Sequence, residues 1–416
     1  MKKTYIDTAM ERIAPDLILK GGNVVDVFSG RVIKADVIIK DGIICGVGSY
    51  SGENEQDVSG KYIMPGFIDS HVHIESSMTQ PSEYAKAVMP HGITTVIADP
   101  HEITNVCGED GLEFMLKSAK NIPLDVNLML PSCVPATPFE HTGANLDAKT
   151  TQKLAPKFFG IGEMMNYPGI VSGDDETLGK LCLDIVDGHA PLLSGHELDA
   201  YASAGIKTDH ECSVIEEMTE KISKGMYILL REGTLSLDVA KLIKGVTPYT
   251  LRRCAFCTDD RFVGEIIRDG SIDHCIRKAV SLGLNNIDAI IMATLNACEI
   301  YGMKNKGAIA PSYVADIVVA DDLNLSSISQ VYKNGKLVCE NGKALFECET
   351  VDNSKVTNTV HLPKISADFF KTDVKDKFDA IELIPESIIT KKVTVSYSDS
   401  LSKVCVIERH HNLGTK

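Results

Sequence analysis

The sequence predicts an α/β protein built around a parallel (β/α)8 barrel, with a small β-sandwich domain built from both flanks and a partial C-terminal segment. Eight short apolar runs, spaced roughly 20–35 residues apart, end in polar residues, as a barrel of strand–helix units requires. Helical patterns such as SEYAKAVMPHG and SVIEEMTEKISKG separate several of these runs. Two β-rich segments bracket the repeats, which predicts one small domain with contributions from both ends.

Each barrel strand is predicted from the polar position at which its apolar run ends. These ends lie near His73, Asp99, Pro131, Met165, Ala190, Glu211, Gly233 and Asp260. In such barrels the reacting groups lie at the C-terminal ends of the strands. We therefore expect the functional side chains at these eight positions.

Changes in sequence character divide the chain into four predicted segments. Residues 1–62 and 304–345 are rich in β-branched residues with Gly, Asp and Ser at the breaks, and are predicted to form the two parts of the small β domain. Residues 63–303 hold the barrel and end in two further helical stretches, DHCIRKAVSLG and NIDAIIMATLNACEIYGM. Residues 346–416 are polar and mixed, and are predicted to be an incomplete C-terminal region.

The composition is that of an ordinary globular protein, with 44% hydrophobic and 24% charged residues in 416. A formal net charge of -15 argues against nucleic acid or an anionic membrane as the main partner and favours a small neutral substrate. The N-terminus lacks the apolar core of a secretory signal, and no apolar run reaches transmembrane length. The 12 cysteines are scattered, so a reducing cytoplasm is predicted.

Six metal-binding side chains fall on the predicted catalytic rim. His71 and His73 are two positions apart on one strand, so both imidazoles face the barrel interior and can reach one ion. The other four end strands four, five, six and eight: Glu163, His189, His210 and Asp259. Four imidazoles and two carboxylates suit a pair of divalent transition ions, and do not suit the oxygen cages of Ca²⁺ or Mg²⁺.

Two other patterns on the chain are rejected as a metal site. The HIE sequence at 73–75 and the CAFC sequence at 254–257 superficially match the HxE and CxxC motifs of zinc cytidine-type deaminases. Arg253 stands where that signature has proline, and the two halves are far apart in the sequence. Residues three apart on a strand face opposite sides, so the two cysteines are predicted to pack within their strand.

The motifs of the rim resemble those of a known superfamily. PGFIDSHVH, a carboxylate after strand four, two later histidines and TDD together resemble the amidohydrolase superfamily. Longer phrases, including TTVIADPHEI, LPSCVPATPFE, GIGEMMN, DGHAPLLSG and RRCAFCTDD, resemble the bacterial adenine deaminase family, from about Asp16 to Ala344. Members of that family usually continue beyond position 416, which is why the C-terminal region is predicted to be incomplete.

The resemblance implies that the six ligands hold two metal ions. One ion would take His71, His73 and Asp259, the other would take His189 and His210, and Glu163 would bridge them. The pair would activate a water molecule, whose hydroxide would attack C6 of adenine and give hypoxanthine and ammonia, as in purine salvage. Asp259 would take the proton and pass it to the departing ammonia. The family favours Mn²⁺ or Fe²⁺ and a homo-oligomer, and Zn²⁺ also accepts these ligands.

Five further polar residues on the rim are candidates for contacts with the purine. The resemblance assigns Asp260 to the purine ring, and capping of the loop after strand eight is the alternative. The other four could instead order a loop or support a metal ligand: Glu75, His101, Glu102 and Glu232.

Two alternative functions stay open at this point. A cyclic-amide hydrolase of the same superfamily would be expected to carry a lysine where Glu163 stands. A catalytically silent scaffold, or a truncated and poorly active fragment, would keep the barrel fold. A decayed site should have lost some ligands, whereas all six are present here.

Overall fold

The computed structural model describes residues 2–362, 364–371, 376–385, 390–398 and 400–413. The strands are β1 (Leu17–Asp26), β2 (Arg31–Lys40), β3 (Ile43–Gly48), β4 (Glu55–Asp57), β5 (Tyr62–Pro65), β6 (Phe67–Val72), β7 (Ile93–Ala98), β8 (Asp125–Leu130), β9 (Gly160–Met164), β10 (Val186–Gly188), β11 (Thr208–Asp209), β12 (Tyr227–Arg231), β13 (Cys254–Cys257), β14 (Ile317–Ala320), β15 (Ile328–Lys333), β16 (Lys336–Glu340), β17 (Lys343–Ala344), β18 (Lys377–Leu383) and β19 (Thr390–Ser396). The α-helices are α1 (Lys2–Ala9), α2 (Pro81–Val88), α3 (His101–Ser118), α4 (Ala148–Leu154), α5 (Tyr167–Ser172), α6 (Asp175–Gly179), α7 (Gly195–Ser203), α8 (Ile215–Ser223), α9 (Val239–Leu242), α10 (Val263–Asp269), α11 (Ile272–Ser281), α12 (Asn286–Ala293) and α13 (Leu295–Ile300).

Strands β6–β13 form the predicted barrel. The first five pair in chain order as parallel neighbours, and so do the last three. A parallel bridge between Val72 and Asp259 joins β6 to the end of β13, while β10 and β11 lie side by side. The prediction of a (β/α)8 barrel is confirmed. Every residue of β6, β7, β9 and β13 is buried, which explains why these strands are continuous apolar runs without alternation.

A buried side chain fastens the first barrel strand to the last. Asp69 on β6 accepts hydrogen bonds from the backbone N–H of Thr258 at 3.0 Å and from its hydroxyl at 2.5 Å. Burial raises the pKa of Asp69 to about 6, even though these hydrogen bonds oppose that shift. The bonds hold the start of the Thr258–Asp260 segment, on which one predicted metal ligand lies.

The two β-rich flanks form one nine-stranded sheet. Strands β1–β5 from the N-terminal flank join β14–β17 through antiparallel pairing of β5 with β14. An antiparallel bridge joins Ile43 in the edge strand β3 to Val314, which lies shortly before β14. The sheet therefore curls around its own apolar core, and one continuous sheet takes the place of the two sheets that a sandwich has. Since β5 belongs to this sheet, the sheet reaches Pro65 and crosses the boundary predicted at residue 62.

The helices lie where the sequence patterns predicted them. The SEYAKAVMPHG pattern gives α2 and a 3-10 turn, SVIEEMTEKISKG gives α8, and the two stretches after the eighth strand give α11, α12 and α13. Across the described ranges, no helix is long and apolar enough to span a lipid bilayer.

Residues after 345 contain little regular structure in their described parts, beyond a 3-10 turn and the β18–β19 hairpin. Some positions of this predicted C-terminal region lie outside the described residues, including 363, 372–375, 386–389, 399 and 414–416.

Candidate metal centre and active site

The six predicted metal ligands converge on one buried point at the C-terminal ends of the barrel strands. Three of them form a first ligand group from β6 and the end of β13: His71, His73 and Asp259. Nε2 of His73 lies 3.1 Å from Nε2 of His71 and 3.1 Å from Oδ1 of Asp259. Nε2 of His71 lies 3.8 Å from the same Asp259 oxygen. A single ion can therefore contact all three.

The second ligand group, His189 and His210, also adjoins Glu163, and the His210 ring stacks on the His71 ring with centroids 4.1 Å apart. Oε2 of Glu163 lies 2.7 Å from Nδ1 of His189 and 3.0 Å from Nε2 of His210. The same carboxylate faces the first ligand group, with Oε1 3.6 Å from Nε2 of His73. Glu163 thus contacts both groups, as a bridging carboxylate would have to.

Glu163 is held in this place by its backbone. Its N–H donates to Oδ2 of Asp99, at the end of β7, over 2.9 Å. Gly162 makes room for that carboxylate, because a Cβ atom at this position would lie 2.3 Å from the Asp99 oxygen. The glycine in GIGEMM is therefore part of the site's construction.

The ring orientations of the first ligand group leave two lone pairs facing each other. Nδ1 of His73 donates to the backbone carbonyl of Asp99 at 2.8 Å, and Nδ1 of His71 donates to Asp187 at 3.3 Å. When both imidazoles are neutral, their Nε2 atoms, 3.1 Å apart, are both acceptors, and either a bound cation or a proton on one of them removes the repulsion. With the carboxylates beside them, this donor set fits divalent transition ions.

The pKa shifts around the site also indicate that it favours a bound cation. Burial lowers the pKa of His73, but Glu102 and Asp259 outweigh it and raise that pKa well above its usual value. Burial likewise opposes the shift at His189, whose pKa Glu163 raises to about 9. Burial would raise the pKa of Glu163 and of Asp259, yet the neighbouring histidines hold both well below the usual range. The pocket therefore favours bound positive charge.

Asp259 has a left-handed backbone, with φ of 55°. This conformation costs most residues free energy, but aspartate is among those that adopt it more readily. Its N–H donates to the carbonyl of His71 at 2.9 Å, and its carbonyl accepts from the N–H of His73 at 3.2 Å. The turn directs Asp259 toward the metal ligands, while Asp260 borders the neighbouring cleft.

A cleft of about 210 Å³ opens beside Asp259. Its lining mixes hydroxyl, carboxylate and apolar groups from three loops: Ser76, Gly233, Thr234, Leu235, Ser236, Asp259, Asp260 and Phe262. Oδ1 of Asp260 accepts a 2.5 Å hydrogen bond from the hydroxyl of Ser76. Burial, followed by the charge of Asp259, raises the pKa of Asp260. Apolar walls with a few convergent polar groups are typical of small-molecule sites.

Three of the other candidates form a cluster against the first ligand group. Nδ1 of His101 lies 3.3 Å from Oε1 of Glu163, and its Nε2 lies 3.2 Å from Oε1 of Glu102. Oε2 of Glu102 lies 3.5 Å from Nδ1 of His73. Glu75 accepts a 3.3 Å hydrogen bond from the N–H of Ile103, and burial together with Glu102 raises its pKa to about 8.

The remaining candidate, Glu232, lies away from the metal ligands. Its carboxylate pairs with Lys278 of α11, and Arg261 donates to its carbonyl oxygen at 2.7 Å. Adjacent residues of a strand face opposite sides. Here the residue that points into the site is Arg231, which the sequence analysis did not select.

No role was predicted from the sequence for three buried polar residues of the site, although one of them, Glu211, was placed at a strand end. Arg231 contacts Oδ2 of Asp259 at 3.0 Å and forms a two-bond ion pair with Glu211. Glu211 lies 3.6 Å from the ring nitrogens of both His189 and His210. Asp187 accepts from His71 and from the hydroxyl of Tyr301. They lie in the sequences LLREG, TDHE and DGHAPLLSG, where a charged residue at a buried strand end was a usable signal.

Comparison with known proteins gives consistent results. The sequence pattern of the amidohydrolase family matches residues 62–338. An adenine deaminase of Clostridium acetobutylicum is 47% identical over 430 residues, covering 99% of this chain and 75% of its own length. The adenine deaminase 2 of Desulfotalea psychrophila is 44% identical, with the same coverage. Among solved structures, an enamidase of the amidohydrolase superfamily has a TM-score of 0.60 at 18% identity, covering 80% of this chain and 97% of its own. A D-aminoacylase with a binuclear metal centre has a TM-score of 0.57 at 15% identity, with 79% and 98% covered.

Proposed function

Since the chain belongs to the amidohydrolase family, and within it to the adenine deaminases, we propose that it hydrolyses adenine to hypoxanthine and ammonia at the centre described above. The observation that carries this function is the intact set of six ligands in two groups, with a cleft for a small molecule directly beside Asp259. The substrate comes from the named relatives, because a ligand set alone does not select a purine.

We assign the first ion to His71, His73 and Asp259, and the second to His189 and His210, with Glu163 between them. When bound, such ions lower the pKa of a water molecule and supply a nucleophile at neutral pH. The donors accept Mn²⁺, Fe²⁺ and Zn²⁺ alike, and we propose Mn²⁺ or Fe²⁺ because the resemblance to adenine deaminases favours them.

The chain's own groups handle the protons. The carboxylate of Asp259 is ionised and lies next to both the metal ligands and the cleft, so it can take a proton from the attacking water. The same carboxyl then returns that proton to the departing amino group, which leaves as ammonia. Arg231, 3.0 Å from the other Asp259 oxygen, keeps this carboxylate oriented throughout.

The base would lie in the cleft with its edge toward Asp260 and Ser76. A carboxyl with a raised pKa can donate a proton to a ring nitrogen, and the hydroxyl of Ser76 fixes its direction. Leu235 and Phe262, 68% and 46% exposed, offer apolar surface to a flat ring. His101, Glu102 and Glu75 lie behind His73, and we propose that they support the ligands, with a direct contact to the base as the alternative.

The substrate assignment is tested by an ultraviolet assay of the metal-loaded enzyme on adenine, adenosine, guanine, hydantoin and dihydroorotate. We expect adenine to give the highest kcat/KM, because the similar relatives are adenine deaminases. A higher kcat/KM on a cyclic amide, on guanine or on adenosine would contradict the proposed substrate. The ligand assignment would be unaffected by that outcome.

The metal assignment predicts two ions per chain. After removal of metal and reconstitution with Mn²⁺ or Fe²⁺, elemental analysis should approach two ions per chain, because six candidate ligands, more than one ion requires, meet around Glu163. His196, whose side chain is fully exposed, gives a matched control, since His196→Ala should leave the stoichiometry unchanged. A stoichiometry that stays below one would contradict a centre with two ions.

Four further assignments stay proposals. We propose a homo-oligomer, a cytoplasmic location, and the absence of nucleic-acid and membrane partners, on the grounds of composition and family. We also propose the division of the chain into domains. It places the small sheet in residues up to 65 and from 304 to 345, the barrel between them, and a separate region from 346.

A further inference from the structure

We propose that Lys221 is a positioning residue that keeps the second ligand group, His189 and His210, at the separation that a metal ion requires. Lys221 lies on α8, and its side chain is 0% exposed. Burying an ammonium group is costly unless it is paired and fully hydrogen-bonded. The three N–H groups of Lys221 match three acceptors: the carbonyl of Ala190 at 2.7 Å, Oδ2 of Asp209 at 2.8 Å and Oε1 of Glu217 at 2.7 Å.

Two of these acceptors adjoin the second ligand group in the chain. Ala190 directly follows His189, and Asp209 directly precedes His210. Asp209 also accepts from the N–H of Ala190 at 2.8 Å. Lys221 and Asp209 therefore hold both backbone polar groups of Ala190, and tie the loop after β10 to the end of β11.

The third acceptor extends this connection further along the loop after β10. Glu217, one turn before Lys221 on α8, accepts from the N–H of Leu192 at 2.7 Å. Leu192 has a left-handed backbone, with φ of 60°, so the loop turns sharply where Glu217 holds it. The loop that carries His189 is thus fixed at Ala190 and at Leu192, and both contacts depend on charges that Lys221 balances.

Other bonds hold the neighbouring ligand without Lys221. The hydroxyl of Tyr201 accepts from the N–H of His189 at 2.9 Å and donates to the carbonyl of Met164 at 2.8 Å. This contact ties His189 to the strand that carries Glu163. The three partners of Lys221 all belong to α8 and to the segments around the second ligand group. Removal of Lys221 should therefore change the position of His210 relative to His189. The first ligand group should keep its positions.

The role requires a positive charge as well as a donor. Asp209 and Glu217 are 0% and 8% exposed, and without Lys221 two carboxylates would stay buried beside each other without their shared cation. Removing one partner of such a buried group is strongly destabilising, because the remaining charge has no water to solvate it. The segments carrying His189 and His210 would then move apart.

The test compares Mn²⁺ binding by metal-free wild type and by Lys221→Met, a variant of similar length without charge. We expect the dissociation constant of one ion to rise about 10- to 100-fold, the usual effect of losing a group that supports a ligand. The constant of the other ion should stay unchanged, and at a Mn²⁺ concentration that fills both wild-type sites but only one site of the variant, spin coupling between two Mn²⁺ ions should be lost from the electron paramagnetic resonance spectrum. A purely structural role would lower the melting temperature without separating the two constants.

The matched control is Lys333→Met. Lys333 is also buried and paired, with Asp316 at 2.9 Å and Asp125 at 3.0 Å, but it lies in the small sheet. The Lys333→Met variant should be less stable than wild type, and both of its Mn²⁺ dissociation constants should be unchanged. If Lys221→Met does not fold, Lys221→Gln, which keeps a donor without the charge, is titrated in its place.

Unchanged constants for both ions in a folded Lys221 variant would overturn the proposal, and so would an equal weakening of both. The proposal rests on the proposed function only through the second ligand group, and its test uses no adenine. A wild-type protein that binds two Mn²⁺ ions but does not act on adenine would contradict the substrate assignment alone.

Discussion

Asp259→Asn should lower kcat/KM for adenine at least about 10²-fold, the lower end of what a general acid–base group contributes. Asparagine keeps an oxygen at the position of Oδ1, but it has no carboxylate to take a proton from water. It also removes a negative charge from the first ligand group, where Oδ1 lies 3.1 Å from Nε2 of His73. Loss of proton transfer and weaker metal binding act in the same direction.

The fold should survive this substitution. Arg231 loses a charged partner in Asp259, but Nε still contacts Asp238 at 3.1 Å and the ion pair with Glu211 remains. Circular dichroism and metal content therefore need to be measured together with turnover, at Mn²⁺ concentrations that saturate the variant. Asp269→Asn, at a half-buried carboxylate paired with Arg268 at the surface, is the matched control and should retain wild-type turnover. Near-wild-type activity in a folded, metal-loaded Asp259→Asn protein would contradict the role assigned here.

The ends of the barrel strands could be predicted because burial and chemistry meet there. Parallel strands that are covered on both faces are continuous apolar runs in the sequence. A polar residue at the end of such a run therefore indicates a functional position at the rim of the barrel. This holds even for β11, which has only two residues, Thr208 and Asp209, before His210. The six proposed metal ligands could be selected because a histidine or carboxylate at a strand end is informative in the sequence itself.

The side of each strand on which a residue lies could not be predicted in the same way. In β12 the residues Ile228–Arg231 are all buried, so no alternation of polar and apolar residues shows which face is which. Glu232 was the predicted rim residue, whereas its neighbour Arg231 contacts Asp259 in the site and Glu232 pairs with Lys278. The two residues are neighbours, and only the register of β12 against β13 distinguishes them.

Contacts between residues that are far apart in the sequence could not be predicted either. Tyr301 donates to Asp187 from 114 positions away, and the single sheet of the small domain depends on β5 pairing with β14 across the whole barrel. Neither contact leaves a local pattern. The sequence therefore indicated two β-rich flanks correctly, without indicating that they continue one sheet.

Arg231→Met should destabilise the metal-free protein by about 3–5 kcal/mol, the range expected when one partner of a buried ion pair is removed. The Arg231 side chain is 3% exposed and contacts three carboxylates, those of Glu211, Asp238 and Asp259. Methionine fills part of the same space, but it leaves these carboxylates buried without their cation. Since whole proteins are stable by only about 5–15 kcal/mol, such a loss should be plain in chemical denaturation followed by far-ultraviolet circular dichroism.

Arg268→Met provides the comparison, because Arg268 is 68% exposed in its ion pair with Asp269. An exposed pair contributes at most about 1 kcal/mol, so this variant should unfold at nearly the wild-type denaturant concentration. Saturating Mn²⁺ should restore part of the stability of Arg231→Met, since Asp259 then regains a positive partner, and should act equally on Arg268→Met and wild type. If Arg231→Met and Arg268→Met unfold at the same denaturant concentration, Arg231 does not balance the buried carboxylates. The orientation of Asp259 would then have to come from its backbone bonds to His71 and His73 alone.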